Sequence, residues 1–214
     1  AINHYFNSFS ILCGFISLSM FVMHGAVYAA LKLRGRLQQD AAIIAQLAAL
    51  SLFVLFLLGG FVLNNLDGQV IASEVDPNQA SNPLGKHVVI ESGAWLARFK
   101  AEPWFYLAPG LGLIGLLMTV FLSRLNRFTL AFMFSALSQF GVIASIGLSL
   151  FPFLLPSSLD AGSSLTVWDA SSSQLTLAAM LIAVCVLLPL VIIYTAWVFR
   201  VFKGPVVHDE IGTY

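Results

Sequence analysis

The sequence predicts an all-α fold: a polytopic transmembrane helix bundle of about five spans, with a short interfacial helix in an outer loop. Three observations carry that prediction. Hydrophobic residues make up 59% of the chain and charged residues only 9%, against about 25% charged in a soluble domain. The apolar residues gather into runs near the roughly 20 residues needed to cross about 30 Å of hydrocarbon. The charges fall between the runs and separate by sign.

The spans are expected at about Ser8–Leu31, Ala41–Leu63, Trp104–Leu122, Phe128–Phe151 and Thr176–Val198, within one membrane domain covering 1–214. Two connections are short and basic, carrying Lys32, Arg34 and Arg36 in the first and Arg124 and Arg127 in the second. The C-terminal tail adds Arg200 and Lys203, so alternation of five spans puts seven of the ten Lys and Arg on one face. The other face takes Asp67, Glu74, Asp76, Glu91, Glu102, Asp160 and Asp169. The positive-inside rule then places the C-terminus in the cytoplasm. Trp104 and Trp197 border spans, and Trp95 and Trp168 lie in the outer connections, as expected of indoles near the headgroups.

The outer connection 64–103 reads in two parts. Asn64–Lys86 is rich in Asn, Asp, Pro and Gly and reads as a loop. His87–Phe99 has helical period, with Val88, Trp95, Leu96 and Phe99 on one side, and reads as a helix in the membrane interface or packed on a partner. Ser171 and Gln174 stand at capping-box spacing before the last span. Pro189 inside that span removes a backbone hydrogen bond, and a kink is expected there.

Lipid gives helices no hydrophobic reason to associate, so contacts are expected where residues are small or polar. Such stripes are Ser10, Gly14, Ser17, His24 and Tyr28 in the first span, Gly112, Gly115 and Thr119 in the third, and Ser135, Ser138, Ser145 and Ser149, beside Gln139, in the fourth. His24 is the one ionisable side chain deep in a span, which makes it a functional candidate. It could relay a proton, bond a quinone carbonyl, bind a metal, or simply hydrogen-bond a neighbouring helix as a neutral imidazole. Tyr28 shares its face, and with Gln139 it could extend an intramembrane polar path or act as an interfacial anchor.

Cys13 and Cys185 lie in apolar runs without CxxC spacing and read as small buried hydrophobes. No catalytic constellation, phosphate loop or metal-ligand cluster is legible, and the balanced charge points to no nucleic acid. The chain opens Ala1-Ile2-Asn3 without Met or a basic stretch, so a signal peptide is not expected and truncation or processing is.

Several segments resemble subunit II of cytochrome bd-type quinol oxidases. They are Met23-His24-Gly25-Ala26 with Tyr28; Ala80-Ser81-Asn82-Pro83-Leu84, Val88-Val89 and Gly93-Ala94-Trp95-Leu96; and Phe151-Pro152-Phe153, Pro156-Ser157-Ser158, Leu165-Thr166, Trp168-Asp169-Ala170 and Ser172 to Leu177. The resemblance runs through the whole chain in order and is similar to the C-terminal half of that subunit; the N-terminal half is missing. It implies a terminal quinol:oxygen oxidoreductase of a bacterial respiratory chain in the inner membrane. The haems, b and d, and the quinol-oxidation loop would belong to subunit I. This chain would then be a subunit without haem ligands that packs against and stabilises subunit I. Some family members hold a structural quinone in subunit II. A small single-span subunit and membrane lipid are further expected companions. In the loop Leu165–Leu177, Trp168 and Asp169 are expected to fix the outer end of the last span, or Asp169 to cap it. Half of a secondary transporter is the alternative, fitted loosely by Pro189 and His24. A purely structural scaffold is a third reading.

Overall fold

A computed structural model describes residues 7–73, 82 and 85–201. Glu74, Asp76, Lys203, the Ala80-Ser81 and Pro83-Leu84 stretches and the termini with His4 and His208 lie outside the described residues. Six helices are described: α1 (Ser8–Lys32), α2 (Arg36–Leu63), α3 (Ala97–Ala101), α4 (Leu107–Arg124), α5 (Phe128–Leu150) and α6 (Gln174–Val201). Two small sheets accompany them, β1 (Asp67–Ile71) with β2 (Val88–Ser92), and β3 (Phe153–Leu155) antiparallel to β4 (Leu165–Thr166). Five helical segments are long and apolar enough to cross a membrane: Ser8–Lys32, Arg36–Leu63, Pro103–Arg124, Phe128–Leu150 and Gln174–Val201. α2 begins five residues before the apolar run, because hydropathy marks the hydrocarbon stretch whereas the helix starts where Gly35, at φ 66°, releases the turn.

The described chain divides into two compact units. The first holds residues 7–70 and 89–150. Its helices close a ring in which α1 packs on α2, α2 on α4, α4 on α5 and α5 back on α1. Short connections hold neighbouring helices antiparallel; in the α4–α5 turn Asn126 takes a left-handed φ of 56°. Ala30, Ala41, Ala42 and Phe128 cluster together, which gathers Lys32, Arg34, Arg36, Arg124 and Arg127 at one end of the ring. At the other end Ser149 Oγ donates to Trp95 O at 3.0 Å, and Trp95 Nε1 donates to Asp67 O at 3.1 Å.

Small residues set the closest approach. A Cβ built on Gly115 would stand 2.8 Å from Ser138 Cβ and 2.9 Å from Phe134 O, so only glycine lets α4 and α5 meet there. Thr119 Oγ1 donates to Gly115 O at 2.7 Å and Ser145 Oγ to Gly141 O at 2.6 Å, satisfying buried hydroxyls within their own helices. The inward stripes of α4 and α5 are therefore as the sequence predicts.

α1 departs from expectation. Its buried face is Ile16, Met23, Val27 and Ala30, while Ser10, Gly14 and Ser17 are exposed. The reason lies in α2, whose buried row Ala41, Ala42, Ala45 and Ala49 leaves room for larger side chains. Met23 joins Ala49 and Leu52 in one cluster, and Val27 joins Ala45 and Ala131 in another. Small-residue patterning marks a surface fit for close packing without saying which neighbour uses it.

The outer connection also departs. Val88–Ser92 is strand, and helix is confined to a 3-10 turn at Ala94–Leu96 followed by α3. The β-branched Val88, Val89 and Ile90 favour the extended pairing with β1, and Gly93, left-handed at φ 71°, turns the chain back to bond Leu66 O. Phe99 is buried and packs on Phe105 and Tyr106, with ring centroids 6.4 and 5.4 Å away.

The second unit holds 71–73, 82, 85–88 and 151–201 among the described residues. Its loop is tied by Val167 N–H to Pro152 O and Ser157 N–H to Ser164 Oγ, each 2.9 Å. α6 buries none of its residues and stays helical through Pro189.

Candidate functional site

The polar candidates of the spans meet on the α1–α5 side of the first unit. His24 Nδ1 lies 2.8 Å from Ser135 Oγ, 111 positions away in sequence. Ser135 Oγ in turn donates to Phe132 O at 2.8 Å. The His24 ring stacks on Phe132 with centroids 4.6 Å apart. Tyr28 is tilted against Phe132 with centroids 5.9 Å apart, and the Lys32 ammonium sits 5.9 Å from the Tyr28 ring centre. Gln139 Nε2 donates to Met20 O at 3.2 Å. His24, Tyr28 and Gln139, singled out separately, thus belong to one seam. The seam is built because helical spacing brings Ser135 and Gln139 to α1 from adjacent turns of α5.

Chemically the seam offers hydrogen-bonding capacity and one imidazole. Among the described residues no group of three or more His, Cys, Asp or Glu could hold a metal, and His24 is the sole histidine in the described spans. The described spans therefore supply no pair of histidines as axial ligands for a haem. Cys13 and Cys185 carry free thiols, Cys185 being exposed rather than buried.

The second set of candidates lies in the second unit. Trp168 packs edge-on against Phe151 at 5.8 Å. Asp169 Oδ1 accepts from Thr166 N–H at 2.6 Å, and Asp169 Oδ2 accepts from Lys86 Nζ at 2.5 Å. The two side chains of that ion pair are only 8% and 3% exposed. Burial pushes the Asp169 carboxyl up, but the hydrogen bonds from Lys86 and Thr166 outweigh it and hold the group below its ordinary value. Asp169 is thus bonded to Lys86 of the outer connection.

Helix capping falls elsewhere than expected. Ser173 Oγ accepts from Thr176 N–H at 3.4 Å and pairs with Thr176 Oγ1 at 3.0 Å. Ser173 is thus the N-cap of α6, Gln174 is its first helical residue, and Ser171 lies outside the cap. Asp160 organises a neighbouring exposed turn; the Ser163 hydroxyl above all, then Gly162 N–H, lower its carboxyl's pKa.

Lys86 escaped the sequence reading. Its one legible signal is that it is the single cation in the acidic first part of the outer connection, Asn64–Lys86, and nothing in the spacing links it to a residue 83 positions on. Ser173 escaped because the Ser171-Ser172-Ser173 run offers three cap registers, and capping-box spacing selected the wrong one.

Comparison with known proteins matches this arrangement to one family. The family model described as cytochrome bd terminal oxidase subunit II matches residues 1–202. The chain is similar to the cytochrome bd-I ubiquinol oxidase subunit 2 of Escherichia coli K12, with 40% identity over 206 residues, covering 96% of this chain and 54% of that protein. It is 39% identical over 198 residues to a probable cytochrome oxidase subunit 2 of Haemophilus influenzae, covering 92% and 52%. A cytochrome bd ubiquinol oxidase subunit 2 of Bacillus subtilis is 29% identical over 215 residues, covering 100% and 55%. The chain spans about half the length of the curated relatives it matches. With a family match along nearly its full length and five membrane-length apolar helices, this chain belongs to the cytochrome bd terminal oxidase subunit II family.

Proposed function

We propose that this chain is part of subunit II of a bd-type quinol:oxygen oxidoreductase in a bacterial aerobic respiratory chain. The observation that carries the reading is the subunit II match over residues 1–202. The transporter alternative has no support among the relatives, each of which is named as an oxidase subunit.

In this reading the chain is the C-terminal half of the subunit and works as a haem-free helical support. Haem b and haem d, when bound in the complex, supply the electron transfer and oxygen reduction, and subunit I holds them. This chain's own residues hold geometry. Gly112, Gly115 and Gly141 set the α4–α5 distance, and His24, Ser135 and Gln139 fasten α1 to α5. The Lys86–Asp169 pair docks the outer connection beside the start of α6. His24, Tyr28 and Gln139 are the residues through which the seam would act as a polar path or contact a structural quinone. The chain lies in the inner membrane with its C-terminus in the cytoplasm. The gathering of five cations at one end of the first unit supports that orientation.

The test is purification of the tagged protein from its native membrane. A complex showing haem b and haem d absorbance, a haem-bearing partner chain by mass and quinol-dependent oxygen consumption is expected. Isolation from membranes with no porphyrin-bearing companion would overturn the proposal.

A further inference from the structure

Ser135 has a single hydroxyl proton, and its Oγ donates that proton to Phe132 O at 2.8 Å. The same oxygen stands 2.8 Å from His24 Nδ1. With the hydroxyl proton committed to the carbonyl, the remaining bond needs its proton from the ring. His24 Nδ1–H therefore donates and Ser135 Oγ accepts. In a neutral imidazole the two nitrogens have opposite roles, so Nε2 carries the lone pair. Among the described residues no donor reaches Nε2. Gln139 Nε2, the amide on the same seam, donates to Met20 O. The charged groups of the ring, Lys32, Arg34, Arg36, Asp40, Arg124 and Arg127, lie at or near the helix ends rather than beside His24. The imidazole itself is half-buried, stacked on Phe132 and partly open at the α1–α5 seam.

We infer that Ser135 is a positioning residue that fixes His24 as the Nδ1–H tautomer, so that Nε2 is presented at the α1–α5 seam as the acceptor for an O–H donor. The donor is water or the hydroxyl of a reduced quinone. A quinone carbonyl is itself an acceptor and does not suit this nitrogen. Only the quinol source rests on the oxidase reading; the tautomer and the acceptor site stand without it.

The test is nitrogen-15 NMR of the purified complex in lipid, with labelled histidine and His24→Gln to identify the His24 signals. A protonated Nδ1 is expected to dominate by about tenfold, the preference that one hydrogen bond confers. Ser135→Ala removes the preference and both tautomers appear; Ser135→Thr, which keeps the hydroxyl, retains it. A protonated Nε2 in the unmodified complex overturns the inference whether or not Ser135→Ala folds. In quinone-free lipid, a hydrogen-bonded Nε2 signal identifies water as the donor. A signal that becomes hydrogen-bonded only on adding quinol, and reverts with oxidised quinone, identifies the quinol hydroxyl. An Nε2 signal that is not hydrogen-bonded with or without quinol, or that becomes so only with oxidised quinone, overturns the acceptor site. Because the tautomer ratio needs neither haem nor turnover, its failure is separable from failure of the oxidase assignment.

Discussion

Replacing Lys86 with methionine leaves the Asp169 carboxylate, only 8% exposed, without its cation. Breaking a buried ion pair by removing one partner costs about 3–5 kcal/mol, because the other charge stays desolvated. Asp169 keeps the Thr166 N–H at 2.6 Å, which favours the lower end, about 3 kcal/mol. At 1.4 kcal/mol per factor of ten, the local opening equilibrium rises by about a hundredfold. Hydrogen exchange reads this at the amides the loop protects: Thr166, bonded to Asp169, and Ala170, bonded to Thr166 O. The pair is also acid-sensitive. The folded carboxyl titrates below its ordinary 3.8, so the stabilisation is complete above that value and is lost as pH falls through the lowered one. Without Lys86 the burial that raises this group is less opposed, so the acid-induced loosening moves to higher pH. Asp169→Asn strands the ammonium instead, and the double substitution should cost less than the sum of the singles. Wild-type exchange rates in Lys86→Met, with an unmoved acid profile, would refute the argument.

Gly115→Ala should destabilise the first unit by about 1–3 kcal/mol through overpacking, since its Cβ meets Ser138 Cβ at 2.8 Å and the Phe134 backbone at 2.9 Å. Gly147→Ala, on the same helix pair but with nothing within 4 Å, is the control, and thermal unfolding of the complex compares the two. Ser173→Ala should fray the first turn of α6 at a cost of about 1 kcal/mol, whereas Ser171→Ala should leave it intact, as read by amide exchange over the first turn. Gln139→Leu removes the bond to Met20 O and should weaken the α1–α5 contact by about 0.6 kcal/mol, and by no more than about 1.7 kcal/mol, as read by thermal unfolding of the complex.

The pattern of agreement follows what each kind of residue responds to. The five spans were legible because crossing hydrocarbon is a sum of local transfer terms, readable in any window of sequence. The glycine and serine stripes of α4 and α5 were legible as close-packing surfaces, since a residue without bulk is small in every context. The stripe of α1 divides: His24 and Tyr28 meet α5, whereas Ser10, Gly14 and Ser17 are exposed, because the alanine row of α2 takes Met23 and Val27 instead. Val88 read as part of a helix face with Trp95, Leu96 and Phe99 because a few apolar residues satisfy either period, and pairing with β1 decided the matter.

By itself, then, the sequence determined that this protein is built of membrane-length helices, which loops carry which charge, and which family it resembles. Only the tertiary structure decided that His24 meets Ser135 and that Lys86 meets Asp169, across 111 and 83 positions. Hydropathy and helix period act within a turn or a span of the chain. A hydrogen bond between distant side chains depends on the rotation and depth of whole elements, and those are set by how every other side chain packs.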